Sequence, residues 1–195
     1  MRFVLASANP GKIREMREIL SEYDIDIISR SDLGIDLDVE ETGSTFMENA
    51  LIKARAISEA AGLPAIADDS GLVVDALDGQ PGVYSSSYGG DELDSSQRYL
   101  YLLEKMKGME QRTARFVCTI VCVFPDGDCI SAQGECRGSI TNAPAGTGGF
   151  GYDPVFLVCG KDKTMSELTP GEKNEVSHRG EALRKFVDLL RERGY

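Results

Sequence analysis

The stretch Thr45–Val74, TFMENALIKARAISEAAGLPAIADDSGLVV, decides the fold class. Thr45 and Glu48 match a capping box, in which a hydroxyl and a carboxylate three residues apart satisfy each other's orphan backbone amides. Phe46, Ala50, Leu51, Ala54, Ile57 and Ala61 then recur at helical spacing as far as Gly62, a residue that ends helices easily because it tolerates left-handed backbone. The pattern predicts a helix over about residues 45–61. Pro64–Ala67 and Leu72–Val74 read as strands flanking an acidic turn, Asp68-Asp69-Ser70-Gly71. Helix followed by strand is the unit of an α/β fold.

The flanking sequence extends the alternation. Arg2–Ala6 has the look of a buried strand, and Pro10–Tyr23 follows with Ile13, Met16, Ile19 and Leu20 at helical spacing. Leu93–Met106 predicts a further helix begun near Asp94 or Ser95. Arg115–Phe124 and Cys129–Gly138 are β-rich runs separated by Pro125-Asp126-Gly127-Asp128, a strong turn signal that predicts an antiparallel hairpin and breaks a purely parallel pattern. The glycine-rich Ala145–Pro154 precedes a short strand at Val155–Val158, and Ser177 is placed to cap a last helix running through Arg191. No repeat, linker or low-complexity tract interrupts the chain. The expectation is one α/β domain over residues 1–195, with an elongated mixed β-sheet and flanking helices in two lobes.

Composition narrows the function. With 42% hydrophobic and 27% charged residues the chain falls in the globular range, and it lacks an apolar run of the about 18 residues needed to span a bilayer. The N-terminus carries no signal-peptide pattern, and five cysteines without a C-x-x-C pair suit a reducing compartment, so a cytoplasmic protein with no membrane partner is expected. A net charge of −11 repels nucleic acid, which excludes that partner. A small polyanion remains compatible, because a few lysines and a divalent cation reverse the potential locally.

Four segments hold residues suited to such a ligand. Ser7-Ala8-Asn9-Pro10-Gly11-Lys12 sits where a strand hands over to a helix N-terminus, a place that favours phosphate, although it lacks the spacing of an ordinary P-loop and a tight turn with a solvated lysine is the plainer reading. Glu40-Glu41 and Asp68-Asp69 offer hard oxygen ligands for Mg²⁺, against the alternative of mere surface charge. Ala145–Pro154 lets backbone approach a flat ligand closely, with Phe150 or Tyr152 as a stacking face. Lys173 and Ser177-His178-Arg179-Gly180 supply donors; His178 is the only histidine and no G-x-S-x-G elbow accompanies it, which disfavours covalent hydrolysis.

Taken together, the S-x-N-x-G-K loop near the N-terminus, EETG at 40–43, Glu48-Asn49-Ala50 with Lys53, ADDSGL at 67–72, GTGGFGYDP at 146–154 and SHRG at 177–180 resemble the inosine triphosphate pyrophosphatase family over nearly the whole chain and in the expected order. The resemblance implies a homodimer with two lobes around a nucleotide cleft. It implies Mg²⁺-assisted attack of water on the α-phosphorus of dITP, ITP or XTP, giving the monophosphate and pyrophosphate and cleansing the nucleotide pool. By matched position, Asp69 would be the catalytic base and a metal ligand, with Glu40 the second acidic ligand and Glu41 its rival. Ser7, Ala8, Asn9, Pro10, Gly11, Lys12 and Lys53 would hold the triphosphate. Ser70, Phe150, Gly151, Tyr152, Asp153, Lys173, His178 and Arg179 would bind the rest of the nucleotide.

Two other readings compete. A Maf-type nucleotide pyrophosphatase shares the N-terminal loop, but GTGGFGYDP and SHRG argue against it. A non-catalytic nucleotide sensor would need the phosphate cradle without a competent base, which Asp69 beside Ser70 makes less economical.

Overall fold

The computed structural model describes residues 2–194, so the two ends of the expected 1–195 domain, Met1 and Tyr195, lie outside the described residues. Six strands form one mixed sheet in the order β2-β1-β3-β4-β5-β6: β1 (Arg2–Leu5), β2 (Asp26–Ser29), β3 (Ala65–Val74), β4 (Thr113–Val123), β5 (Cys129–Ile140) and β6 (Phe156–Val158). β1 runs parallel to both neighbours, pairing Val4 with Ile28 and with Ala65, whereas β5 and β6 are antiparallel. Five α-helices accompany it among the described residues: α1 (Pro10–Ser21), α2 (Phe46–Ala61), α3 (Ser95–Lys105), α4 (Pro170–Val176) and α5 (His178–Glu192). None is long and apolar enough to cross a membrane.

The chain divides into two compact units, the first made of Met1–Asp69, Cys118–Gly134 and Arg179–Tyr195 and the second of Ser70–Val117 and Glu135–His178. In the first unit the period of two along each strand sends alternate side chains to opposite faces of the sheet. Phe3, Leu5, Ile66, Cys118, Ile120 and Cys122 join Met16, Ile19 and Leu20 of α1 and Leu183, Phe186, Val187 and Leu190 of α5. Val4, Ala6, Ala65, Ala67, Val121 and Val123 join Ala50, Ala54 and Ile57 of α2. Burying a side chain such as Ile57 fully contributes about 1.5–3 kcal/mol. In the second unit Leu72, Val74, Phe116, Ile140, Phe156 and Met165 form a separate core with Leu102 and Met106 of the α3 region.

Local signals account for most boundaries. The Thr45–Glu48 box is formed and Gly62 ends α2 in the left-handed region at φ 64°. Asp94 caps α3, and the Phe124–Asp128 turn joins β4 to β5. One expectation is corrected: residues 68–71 are not a turn between two strands, because β3 continues through them from Ala65 to Val74. The short β2 and the seven-residue α4 go beyond what the sequence pattern predicts.

Candidate active site

β3 carries two consecutive carboxylates, and its pleat turns them to opposite faces. Asp68 continues the series of Ile66, toward α1 and α5. Asp69 continues that of Ala65 and Ala67, toward α2.

On the first face, Asp68 Oδ2 lies 3.0 Å from the Lys12 ammonium and accepts from Arg179 Nη2 at 3.0 Å. Arg179 is 1% exposed, and its Nη1 donates to Glu15, itself buried. Lys12 and Glu15 stand three apart on α1 and so share a stripe of the helix. Burial alone would raise the Asp68 carboxyl's pKa; Lys12, Arg179 and Lys53 outweigh it and hold the group well below the usual carboxylate range. Arg179, expected on the nucleotide, thus has a neighbourhood of carboxylates inside the first unit.

On the second face, Asp69 meets residues four apart on α2. Lys53 Nζ donates to its Oδ1 at 3.1 Å and Asn49 Nδ2 to its Oδ2 at 3.3 Å. The same ammonium reaches Glu41 at 2.9 Å, while Glu40 is exposed. Burial raises the Asp69 pKa; Lys53 and Lys12 pull it down and Glu41 pushes it up, leaving it above the ordinary value. For Lys53, burial works to lower the pKa, but Asp69, Asp68 and Glu41 raise it overall. A carboxylate of raised pKa, held by two hydrogen bonds and a tenth exposed at its side chain, is suited to accept a proton.

The N-terminal loop is organised by its own capping. Asn9 Oδ1 accepts from the amides of Gly11 at 2.9 Å and Lys12 at 3.2 Å, and Ser7 Oγ accepts from Asn9 N at 3.2 Å. Pro10 occupies the first turn of α1, where a missing N–H costs nothing. Ala8, Asn9 and Pro10 are exposed, and Gly11 and Lys12 half-buried.

In the second unit, Lys173 Nζ donates to Asp153 Oδ2 at 2.6 Å, and Phe150 N donates to the same oxygen at 2.8 Å. That oxygen lies so close to Gly149 that a Cβ there would come within 2.0 Å of it, and Gly149 also adopts φ +72°, so glycine is required twice over. The Lys173 ammonium stands 4.7 Å from the centroid of Phe150. Phe150 is half-buried, whereas Tyr152 is in the core with its hydroxyl donating to the Ser85 carbonyl at 2.9 Å. Burial raises the Tyr152 pKa. Of the two aromatic residues expected to stack, Phe150 is therefore the one with surface to offer. His178 is buried and stacked on Phe116, with centroids 4.8 Å apart. Ser70 and Gly151 are half-buried.

Glu15 and Asn49 were not among the site residues expected from sequence. For Glu15 the available signal was an acid adjoining Met16 on the stripe that α1 buries; for Asn49 it was its place in the Glu48-Asn49-Ala50 motif, four residues before Lys53.

The chain is similar to known proteins over nearly its whole length. The family model described as the Ham1 family matches residues 3–189. A dITP/XTP pyrophosphatase of Shigella flexneri is 49% identical over 194 residues, 97% of this chain and 98% of that protein. One of Bacillus subtilis is 46% identical over 189 residues, 96% of each chain. The solved structure of the Staphylococcus aureus Ham1 protein superposes with a TM-score of 0.89 at 41% identity, covering 99% of this chain and 100% of that one. With its motifs in order and near full-length likeness in sequence and fold, the chain belongs to the Ham1 family.

Proposed function

We propose that the chain is a nucleoside triphosphate pyrophosphatase that hydrolyses dITP, ITP and XTP to the monophosphate and pyrophosphate, clearing deaminated purines from the nucleotide pool. The observation that carries this reading is Asp69, a buried carboxylate of raised pKa fixed by Lys53 and Asn49. Identity of 46–49% to dITP/XTP pyrophosphatases over nearly the full length supports the substrate class. The family match over residues 3–189 supports treating the chain as one functional domain.

In the proposed reaction Asp69 takes a proton from water, the water oxygen bonds to the α-phosphorus, and the bond to the bridging oxygen breaks, releasing pyrophosphate. Lys53 and Lys12, with residues Ser7–Gly11, hold the triphosphate and offset the charge of the leaving group. Among the described residues no three His, Cys, Asp or Glu side chains converge on a closed metal cage. The carboxylates of Asp69 and Glu41, which share the Lys53 ammonium, are hard donors that fit Mg²⁺, an ion that accepts one or two carboxylates and takes its other ligands from water and phosphate. Asp69 would hold it together with Glu40, by motif position, or Glu41, which shares Lys53 with Asp69. When bound, the ion would supply Lewis-acid stabilisation of charge at phosphorus.

Recognition of the remaining nucleotide falls to Ser70, Phe150, Gly151, Asp153, Lys173 and His178, with Phe150 the stacking face. Tyr152 contributes from the core, and Arg179 contributes by holding Asp68. Donors facing the purine edge favour the 6-oxo acceptor of hypoxanthine and xanthine. Adenine presents an amino donor there, and each buried group so left unpaired costs about 1–3 kcal/mol. The enzyme acts as a homodimer in the cytoplasm, where its five free cysteines stay reduced.

A panel of nucleoside triphosphates assayed with Mg²⁺ tests this, scoring pyrophosphate against orthophosphate. ITP, dITP and XTP should yield pyrophosphate with kcat/KM at least about tenfold above ATP. Orthophosphate as the product, or equal turnover of ATP and ITP, would overturn the reading.

A further inference from the structure

Asn49 is 4% exposed and spends both ends of its amide on two different parts of the first unit. Nδ2 donates to Asp69 Oδ2 at 3.3 Å, and Oδ1 accepts from the backbone N–H of Gly43 at 2.8 Å. Gly43 closes the acidic segment 40–43. A Cβ built on it would lie 2.6 Å from Asn49 Oδ1, 2.6 Å from Glu48 Cβ and 2.9 Å from Asn49 N, so glycine is needed for close approach alone. Just beyond it, Glu48 Oε2 accepts from Ser44 N at 2.7 Å and Thr45 N at 3.1 Å, which anchors the segment to the first turn of α2.

We infer that Asn49 is a positioning residue, clasping the segment bearing Glu40 and Glu41 to Asp69 and so setting how the acidic groups of the proposed reaction stand to one another. One helical turn on, Lys53 makes a parallel bridge from Glu41 to Asp69, but with a charge. An incoming triphosphate competes for that ammonium. It does not compete for a neutral amide already bonded at both ends, so the asparagine keeps the geometry while the lysine turns to substrate. No other side chain of this size does both jobs: aspartate keeps the acceptor for Gly43 but sets a like charge against Asp69, and leucine keeps the shape and neither bond.

The inference rests on the pyrophosphatase reading, and its test separates the two. Amide hydrogen exchange at Gly43, followed by NMR on the free protein, reports the clasp without any turnover. Asn49→Leu should accelerate that exchange, and should lower kcat and raise the half-activating Mg²⁺ concentration by about 10–100-fold, as loss of a residue that orients a ligand does, with KM for ITP little changed. Asn49→Asp should leave Gly43 protected and still lose kcat. Gly43→Ala, with Asn49 in place, should reproduce the leucine phenotype and stands in for it should Asn49→Leu not fold. Unchanged exchange at Gly43 in Asn49→Leu, or normal kcat and Mg²⁺ dependence in both Asn49→Leu and Gly43→Ala, would overturn the inference while leaving the reading intact. A wild type that releases no pyrophosphate, yet whose Gly43 amide is freed by Asn49→Leu, would sink the reading and keep the clasp.

Discussion

On the face of β3 toward α1 and α5, the Asp68 side chain has no exposed surface and lies against two cations, Lys12 and Arg179. On the face toward α2, Asp69 keeps 10% of its side chain exposed and meets one ammonium and one neutral amide. The first arrangement fixes a charge so firmly that it is of little use as a base. The second leaves the carboxylate raised in pKa and open to a proton. Two neighbouring acids thus take separate duties, one holding the fold and its lysine, the other available for chemistry, and the strand's period of two makes the separation.

The largest effect expected from breaking that division is on turnover. Asp69→Asn keeps the shape and removes both charge and basicity, so kcat should fall by about 10²–10⁴-fold, the usual scale for loss of a general base, with the thermal transition near its wild-type position. Asp68→Asn should be milder on turnover per folded molecule and much harsher on folding. It leaves Arg179 buried with one carboxylate fewer, which for a broken buried ion pair costs about 3–5 kcal/mol and lowers Tm by about 6–20 °C in a protein of this size. Calorimetry and initial-rate assays on the two variants check both halves; similar phenotypes would erase the distinction.

The same contrast gives opposite dependences on pH. Asp68 has a depressed pKa in the folded state, so the stability it contributes is present above the unfolded value of about 3.9 and is lost as pH falls through it toward the folded pKa. Asp69 has a raised pKa, so its stabilising contribution is the protonated form's, present below the unfolded value and lost as pH rises through the folded one. In urea denaturation from pH 7 down to 3, the deficit of Asp68→Asn against wild type should shrink on acidification. Asp69→Asn should be at least as stable as wild type at pH 7, and that advantage should vanish at low pH. A deficit of Asp68→Asn that grows in acid would reverse the assignment.

How far this was legible in the sequence depended on range. Thr45, Glu48 and Gly62 act within a few residues, and they bounded α2 correctly. The acids of residues 68–71 misled, because Asp, Ser and Gly are turn formers by local preference. Here tertiary context prevails: cations on each face answer the carboxylates, and the strand runs on. The capping box at Thr169 and Glu172 was present, but α4 is too short to show an apolar stripe. Motif order brought Lys53 and Asp69 together on paper as they are in the fold. The surroundings of Arg179 were not legible, since Glu15 and Asp68 lie 164 and 111 residues away along the chain.

The smallest expected effect sharpens the comparison from β4. Thr119 belongs to the series of Val121 and Val123, on the face shared with Ala65 and Ala67 and therefore with Asp69. It is 3% exposed, and its hydroxyl has no hydrogen-bond partner among the described residues. On the Asp68 face the buried charges answer one another; on this face a polar group is left unanswered, which costs about 1–3 kcal/mol for a buried hydroxyl. Valine has nearly the same shape without the oxygen. Thr119→Val should then raise stability by about 1 kcal/mol, a gain of about 2–4 °C in Tm, and leave kcat unchanged. A loss of stability together with a loss of kcat would mean that the hydroxyl is engaged in the working enzyme, and that the Asp69 face is as fully satisfied as its opposite.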